Sequence, residues 1–145
     1  MALPLPVPGL VIRYSYLWHS EYRQGREEGQ KDRPCAIIAA IRIDEDGEVR
    51  VLVLPVTHSP PDHPELAVEI PANVKQRLRL DEARSWVMPS EWNEFAWPGP
   101  DLRRLPGADA SSVAYGMLPP SLYAIIRDRF LAVARSRAAG RVQRT

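Results

Sequence analysis

The sequence predicts a mainly β fold, an antiparallel sheet or small barrel that ends in a C-terminal helix. Short apolar runs rich in β-branched and aromatic residues are separated by turn signals, which is typical of antiparallel strands. Asp46-Gly47 lies between two such runs and indicates a tight hairpin. Near the C-terminus the apolar residues instead recur at helical spacing. A sheet followed by one longer helix accounts for all three patterns.

The apolar runs define about five short strands, most of them joined by hairpins. The first strand follows a Pro-Gly turn signal, and a polar loop over residues 19–33 separates it from the second. The Asp-Gly turn joins the second strand to the third, and a proline-stiffened segment leads to the fourth. The predicted strands cover residues 10–18, 34–43, 48–56, 66–70 and 84–88.

Two helices complete the prediction. Residues 72–80 carry apolar side chains four positions apart and favour a short helix. The longer helix is predicted over Ser121 to Ala134, with Ser121 as its N-cap. Residues 98–114 are the most loop-like part of the chain. The predicted apolar stripe of the longer helix is Leu122, Ile125, Ile126, Phe130 and Val133.

The composition is that of one globular domain, with 145 residues, 45% hydrophobic and 26% charged. The longest apolar runs are far shorter than the about 18 residues of a membrane span, and the first ten residues lack a secretory signal's basic region. The single cysteine, Cys35, is expected to be a buried, inert thiol, and it fits a reducing cytoplasm. We expect a single cytoplasmic domain over residues 1–145, without a membrane partner, with a short N-terminal tail and a basic tail after about residue 138.

The net charge of +1 hides an uneven distribution. Residues 101–145 carry 8 basic and 3 acidic side chains, whereas residues 1–100 carry 11 and 15. Of the 19 cationic residues, 17 are arginine. Arginine suits bidentate contacts with phosphate, but the same bias also arises from a GC-rich genome. The predicted basic tail contains Arg141 and Arg144.

The sequence contains no phosphate-loop, dinucleotide-binding, kinase or hydrolase motif. His58, Asp62 and His63 come nearest to a metal cluster, but they lack the spacing of known zinc sites, so no metal or other cofactor is predicted.

The most informative pair is Arg33, at the start of the second predicted strand, and Thr57, after the third. Both lie 12 positions from a turn centred near residue 45, so they are expected to be cross-strand neighbours. An arginine beside a threonine hydroxyl at a sheet edge is typical of a phosphate or oxyanion site. The alternative is a surface arginine and a strand-ending threonine.

The order of four segments resembles the PemK/MazF-like toxins of toxin-antitoxin systems, over roughly residues 8–93 and the C-terminal helix. The resemblance implies an SH3-like barrel that cleaves single-stranded RNA selectively and without a metal. It also implies a homodimer that is neutralised by a cognate antitoxin, for which we expect an acidic segment. The segments are Pro8-Gly9-Leu10-Val11-Ile12, Glu28-Gly29-Gln30, Arg33-Pro34-Cys35-Ala36-Ile37-Ile38 and Leu54-Pro55-Val56-Thr57-His58.

By this resemblance, Arg33 and Thr57 match the active-site arginine and threonine or serine of the family. In metal-free RNA cleavage, where the ribose 2′-hydroxyl is the nucleophile, Arg33 would stabilise the phosphorane and Thr57 would donate a hydrogen bond to phosphate. His58 can act as base or acid only if the strand ends at Thr57, because neighbouring strand residues point to opposite faces. Further candidates for substrate contacts are Glu28, Gln30, Lys31, Ser59, Glu91 and Trp92. For Trp92, a core position is the alternative.

Two departures from the family pattern keep a second hypothesis open. In one branch of the family a histidine precedes the Arg-Pro pair, where this chain has Glu27 and Glu28. That branch also has an arginine and an aspartate where this chain has Met88-Pro89-Ser90. The alternative is therefore a catalytically degenerate barrel of the same fold that binds RNA or a protein partner. A topoisomerase-poisoning toxin of similar fold would leave the Arg33 and Thr57 pair unexplained.

Overall fold

The structure is a computed structural model that describes residues 3–23, 32–43, 47–107, 112–136 and 140–144. Within these ranges it contains eight β-strands and three α-helices. The strands are β1 Leu10–Tyr14, β2 Arg33–Ile43, β3 Glu48–Thr57, β4 Val68–Glu69, β5 Trp86–Val87, β6 Glu91–Trp97, β7 Ala114–Met117 and β8 Gly140–Arg144. The helices are α1 His19–Arg23, α2 Ala72–Arg77 and α3 Pro120–Ser136.

The strands form one curled sheet in which β3 is the branching strand. The main order is β4-β5-β3-β2-β1-β7, and β6 pairs with the part of β3 that β5 leaves free. These pairs are antiparallel, whereas β8 lies parallel to β6. The predicted fold class, a small mainly β barrel with a C-terminal helix, is confirmed in the form of a half-barrel.

The curled sheet has a hydrophobic cluster on each face. Since successive strand side chains alternate, β2 gives Ala36 and Ile38 to one cluster and Cys35 and Ile37 to the other. Helix α3 covers the first cluster with buried residues that include Ile126. The cysteine is free and buried, as predicted.

Both predicted helices are present, but the shorter one ends at Arg77 and not at residue 80. Residues 19–23 form α1 instead of the start of a loop; residues 24–31 lie outside the described ranges. Helix α3 begins at Pro120, so Ser121 lies within its first turn and is not the N-cap; proline suits this first position because its missing N–H needs no partner there. Ile125 is exposed and does not join the buried stripe. No helix in the described ranges is long and apolar enough to span a membrane.

Three strands were not predicted. In β6 the buried row begins with Asn93 and continues with Phe95, while Trp92 is only half-buried, so the polar and apolar residues do not follow the usual alternation. Strand β7 has only four residues and includes Gly116, which weakens its β signal. Strand β8 occupies residues 140–144, within the stretch predicted to be a basic tail.

The β2–β3 pairing sets the position of the candidate site. Cys35 lies opposite Pro55, and the same register holds as far as the Ile37–Val53 pair. Continued two residues toward the open end, this register places Arg33 opposite Thr57, as the sequence predicted. At the other end of the hairpin, turn residues 44–46 lie outside the described ranges.

Candidate functional site

A cleft of about 780 Å³ opens where β2 begins and β3 ends. Its walls come from the segment after β3, the segment after α2, and residues near β1 and β7. Four of the predicted site residues line it: Arg33, Thr57, His58 and Ser59.

The guanidinium of Arg33 lines this cleft and is held in place by two contacts. Its Nη1 donates to the carbonyl of Val56 at 3.4 Å, and its Cζ lies 4.9 Å from the centre of a Trp18 ring. Its buried Nε has no hydrogen-bond partner, and no carboxylate pairs with it among the described residues. The carbonyl and the indole orient the guanidinium while leaving its charge available to an anion.

Thr57 is the last residue of β3, and the chain turns directly after it. The Thr57 Oγ1 accepts a hydrogen bond from the backbone N–H of Ser59 at 3.1 Å, which fixes the side chain. Within the described part of the chain, its hydroxyl hydrogen has no acceptor, so it can donate to a ligand. Because the strand ends here, His58 is released from strand alternation and lines the same cleft.

Both ring nitrogens of His58 have protein partners. Its Nε2 lies 2.8 Å from Oδ2 of Asp81. Its Nδ1 lies 3.0 Å from Oγ of Ser85 and 3.1 Å from the carbonyl oxygen of Arg84. The imidazole is therefore fixed at the cleft wall although 48% of its side chain is exposed.

Lys75, a buried residue of α2, supports this arrangement from behind. Its Nζ donates to Oδ1 of Asp81 at 2.9 Å, to Oγ of Ser85 at 2.6 Å and to the carbonyl of Ala83. Burial raises the pKa of Asp81, but the hydrogen bond from Lys75 and the charge of His58 outweigh it, and the pKa lies below its usual value. The carboxylate is thus ionised at neutral pH.

The other charges of the cleft are mostly paired. Asp32 lies 3.8 Å from Arg13 and 3.4 Å from Arg103. Arg79 lines the cleft from a left-handed position with φ of 57°, just after α2. Glycine usually occupies that position at a helix end, because a side chain is strained there.

Trp18, which stacks against the Arg33 guanidinium, is itself held by carboxylates. Glu21 accepts from the backbone N–H of Trp18 at 3.1 Å. Glu91 accepts from the hydroxyl of Tyr16 at 3.1 Å and from the backbone N–H of His19 at 2.9 Å. Burial raises the pKa of Glu91, and the hydrogen bonds it accepts offset only part of that shift.

Two further predicted contacts, Glu91 and Trp92, do not line the cleft. Glu91 holds the segment around Trp18 instead. Trp92 packs edge-on against Phe130, with ring centres 5.0 Å apart, because its position on β6 faces α3 and the core. The predicted candidates Glu28, Gln30 and Lys31 lie outside the described residues.

Sequence reasoning missed Trp18, Lys75, Asp81 and Ser85. Lys75 carried a usable signal, since it is one of only 2 lysines among 19 cationic residues. A compact ammonium with three rotating donors fits three converging acceptors, whereas a planar guanidinium does not. The lysine at position 75 therefore fits this pocket better than an arginine would.

The described residues contain no group of three or more His, Cys, Asp or Glu side chains that could hold a metal ion. No family model, curated protein or solved structure matches the chain. The likeness to PemK/MazF-like toxins rests on the motif residues and remains a prediction.

Proposed function

We propose that this protein is a toxin endoribonuclease of the PemK/MazF-like kind, which cleaves single-stranded RNA without a metal. The observation that carries the proposal is the guanidinium of Arg33, which no carboxylate of the described residues pairs with and which lines the same cleft as the Thr57 hydroxyl. A planar fork of donors beside a hydroxyl matches the non-bridging oxygens of a phosphodiester. The motif resemblance supports the same reaction.

In this reaction the ribose 2′-oxygen attacks phosphorus, and the bond from phosphorus to the 5′-oxygen breaks. The products carry a 2′,3′-cyclic phosphate, or a 3′-phosphate after its hydrolysis, and a 5′-hydroxyl. Arg33 stabilises the extra negative charge on the pentacoordinate phosphorane, and Thr57 donates a hydrogen bond that orients the phosphate. Because an arginine stays protonated at ordinary pH, Arg33 is not the base.

We propose further that the protein is a cytoplasmic homodimer whose groove binds either RNA or an acidic antitoxin segment. The resemblance supports the dimer, and the basic excess after residue 100 supports the acidic partner. Carboxylates use the same guanidinium donors as phosphate, so the two ligands should compete. A monomer at micromolar concentration in light scattering would reject the dimer. Association that does not slow with added salt would reject the electrostatic part.

The test is incubation of the purified protein with single-stranded RNA in excess EDTA, followed by analysis of the product ends. Arg33→Ala should lower the cleavage rate by about 10²–10³-fold, the usual effect of removing one charge-stabilising donor. Arg33→Lys should not fully restore it, because an ammonium lacks the planar fork. Thr57→Ala removes one neutral donor and should have a smaller effect.

The matched control is Arg42→Ala, since Arg42 is an exposed arginine at the other end of β2 from Arg33 and does not line the cleft. It should cleave at the wild-type rate. Strict dependence on Mg²⁺ or Zn²⁺ would reject the mechanism, and full activity of Arg33→Ala would reject the site. Tight RNA binding with no cleavage would favour the catalytically degenerate barrel.

A further inference from the structure

The partners of His58 determine which of its nitrogens carries a proton. An ionised carboxylate only accepts hydrogen bonds. Asp81 is such a carboxylate, and its Oδ2 lies 2.8 Å from Nε2 of His58. While it is paired with Asp81, Nε2 therefore carries a hydrogen both in the neutral imidazole and in the imidazolium.

The surroundings of Nδ1 accommodate either protonation state. In the neutral ring, Nδ1 accepts a hydrogen bond from the hydroxyl of Ser85 at 3.0 Å. In the imidazolium, Nδ1–H donates to the carbonyl of Arg84 at 3.1 Å, and the Ser85 hydroxyl turns to the carbonyl of Ala83 at 3.2 Å. Both states keep their hydrogen bonds at Nδ1 without moving a heavy atom, so the ring is held in the same place in either state.

Ser85 supports the ring and is not a nucleophile. It lies within hydrogen-bond distance of both His58 and Lys75, but only 1% of its surface is exposed. Its oxygen is engaged by these two side chains and presents almost no surface to a substrate. The exposed part of this cluster is the pair of His58 and Asp81, which faces the same cleft as Arg33.

We propose that His58 is the general acid of the RNA cleavage, and that Asp81 and Lys75 are positioning residues that hold it. This assignment rests on the proposed function. As the bond from the 2′-oxygen to phosphorus forms and the bond to the 5′-oxygen breaks, Nε2–H of the imidazolium gives its proton to the departing 5′-oxygen, and the neutral ring keeps Nδ1–H on the Arg84 carbonyl. The 2′-hydroxyl loses its proton to solvent water, and His58 then regains one from water. An exposed ion pair is held weakly, so Nε2–H can exchange Asp81 for a substrate oxygen.

The test uses an RNA oligonucleotide that spans a junction cleaved in the assay above, made with either oxygen or sulfur at the 5′-bridging position. A thiolate leaves without being protonated, so a missing general acid matters only for the oxygen substrate. His58→Ala should cleave the oxygen substrate about 10²–10³-fold more slowly than wild type, and the sulfur substrate within a few-fold of it. His63→Ala is the matched control, because His63 is exposed, lies near Glu65 and does not line the cleft. It should cleave both substrates at wild-type rates.

Asp81→Asn tests the positioning role. It also provides a second test of the general-acid assignment if His58→Ala does not fold. It should show the same pattern with a smaller loss, and circular dichroism should show the wild-type fold. Equal losses on both substrates, or full activity of His58→Ala on the oxygen substrate, overturn the general-acid assignment and leave the ribonuclease proposal standing. If the wild-type protein cleaves neither substrate, the proposed function falls, and this assignment falls with it.

Discussion

The buried carboxamide of Asn93 binds both backbone groups of Leu17, and replacing Asn93 by alanine should destabilise the fold by about 3 kcal/mol. Its Oδ1 accepts from the Leu17 N–H at 3.0 Å, and its Nδ2 donates to the Leu17 carbonyl at 2.8 Å. Asn93 is 0% exposed and Leu17 is 2% exposed, so bulk water does not reach these groups. Alanine leaves both of them unpaired.

The magnitude follows from counting the groups that lose a partner. An unpaired buried donor or acceptor costs about 1–3 kcal/mol, so two of them set a range of about 2–6 kcal/mol. A water molecule that enters the vacated space recovers part of this loss, which favours the lower half of the range. Urea unfolding measures the change as a lower midpoint at an unchanged slope.

Two further variants sharpen this test. Asn93→Asp keeps an acceptor for the Leu17 N–H but sets a carboxylate against the Leu17 carbonyl, so its loss at pH 7 should at least equal that of Asn93→Ala. That loss should shrink at low pH, where the carboxyl group is protonated and can donate. The control is Gln76→Ala, at an exposed position of α2, expected to lie within about 0.5 kcal/mol of wild type. A loss below about 1 kcal/mol for Asn93→Ala would refute the reasoning.

Two predictions concern the pH dependence of stability, through the carboxyl groups of Glu91 and Asp81. Burial raises the pKa of Glu91 in the folded protein, so ionisation of this carboxyl group is less favourable in the fold than in the unfolded chain. The free energy of unfolding is therefore higher at low pH, and it falls as the pH rises through the folded-state pKa. Glu91→Gln keeps an acceptor for Tyr16 and His19, so urea unfolding should show its stability relative to wild type increasing from about pH 4 to pH 7. Lys75→Met should lower stability by about 2 kcal/mol at pH 7, since it removes charged hydrogen bonds. Lys75 also helps to lower the pKa of Asp81, so the loss should become smaller as the pH falls through the folded-state pKa of Asp81 in the wild-type protein.

The Arg33 and Thr57 pair could be predicted from sequence because a tight hairpin fixes register by counting from its turn. The register obtained by counting from the turn is correct at the candidate site, where Cys35 lies opposite Pro55. It is wrong by one residue near the tip, where Ile43 lies opposite Glu48, because a bulge between Ile37 and Ala39 takes up one extra residue. A bulge leaves no clear mark in an apolar run, so the sequence could not reveal it.

The surroundings of His58 could not be predicted in this way. They depend on β5, a two-residue strand whose Trp86 pairs with Thr57. Continued one residue past the end of β3, that register sets His58 opposite Ser85, which is the contact observed. A strand of two residues is too short to show a hydrophobic period, so the sequence does not indicate which strand it pairs with. The phosphate-binding half of the proposed site therefore follows from local hairpin geometry, whereas the proton-donating half depends on long-range closure of the sheet. Mutations that loosen β5 should accordingly weaken His58-dependent cleavage while leaving Arg33 in place.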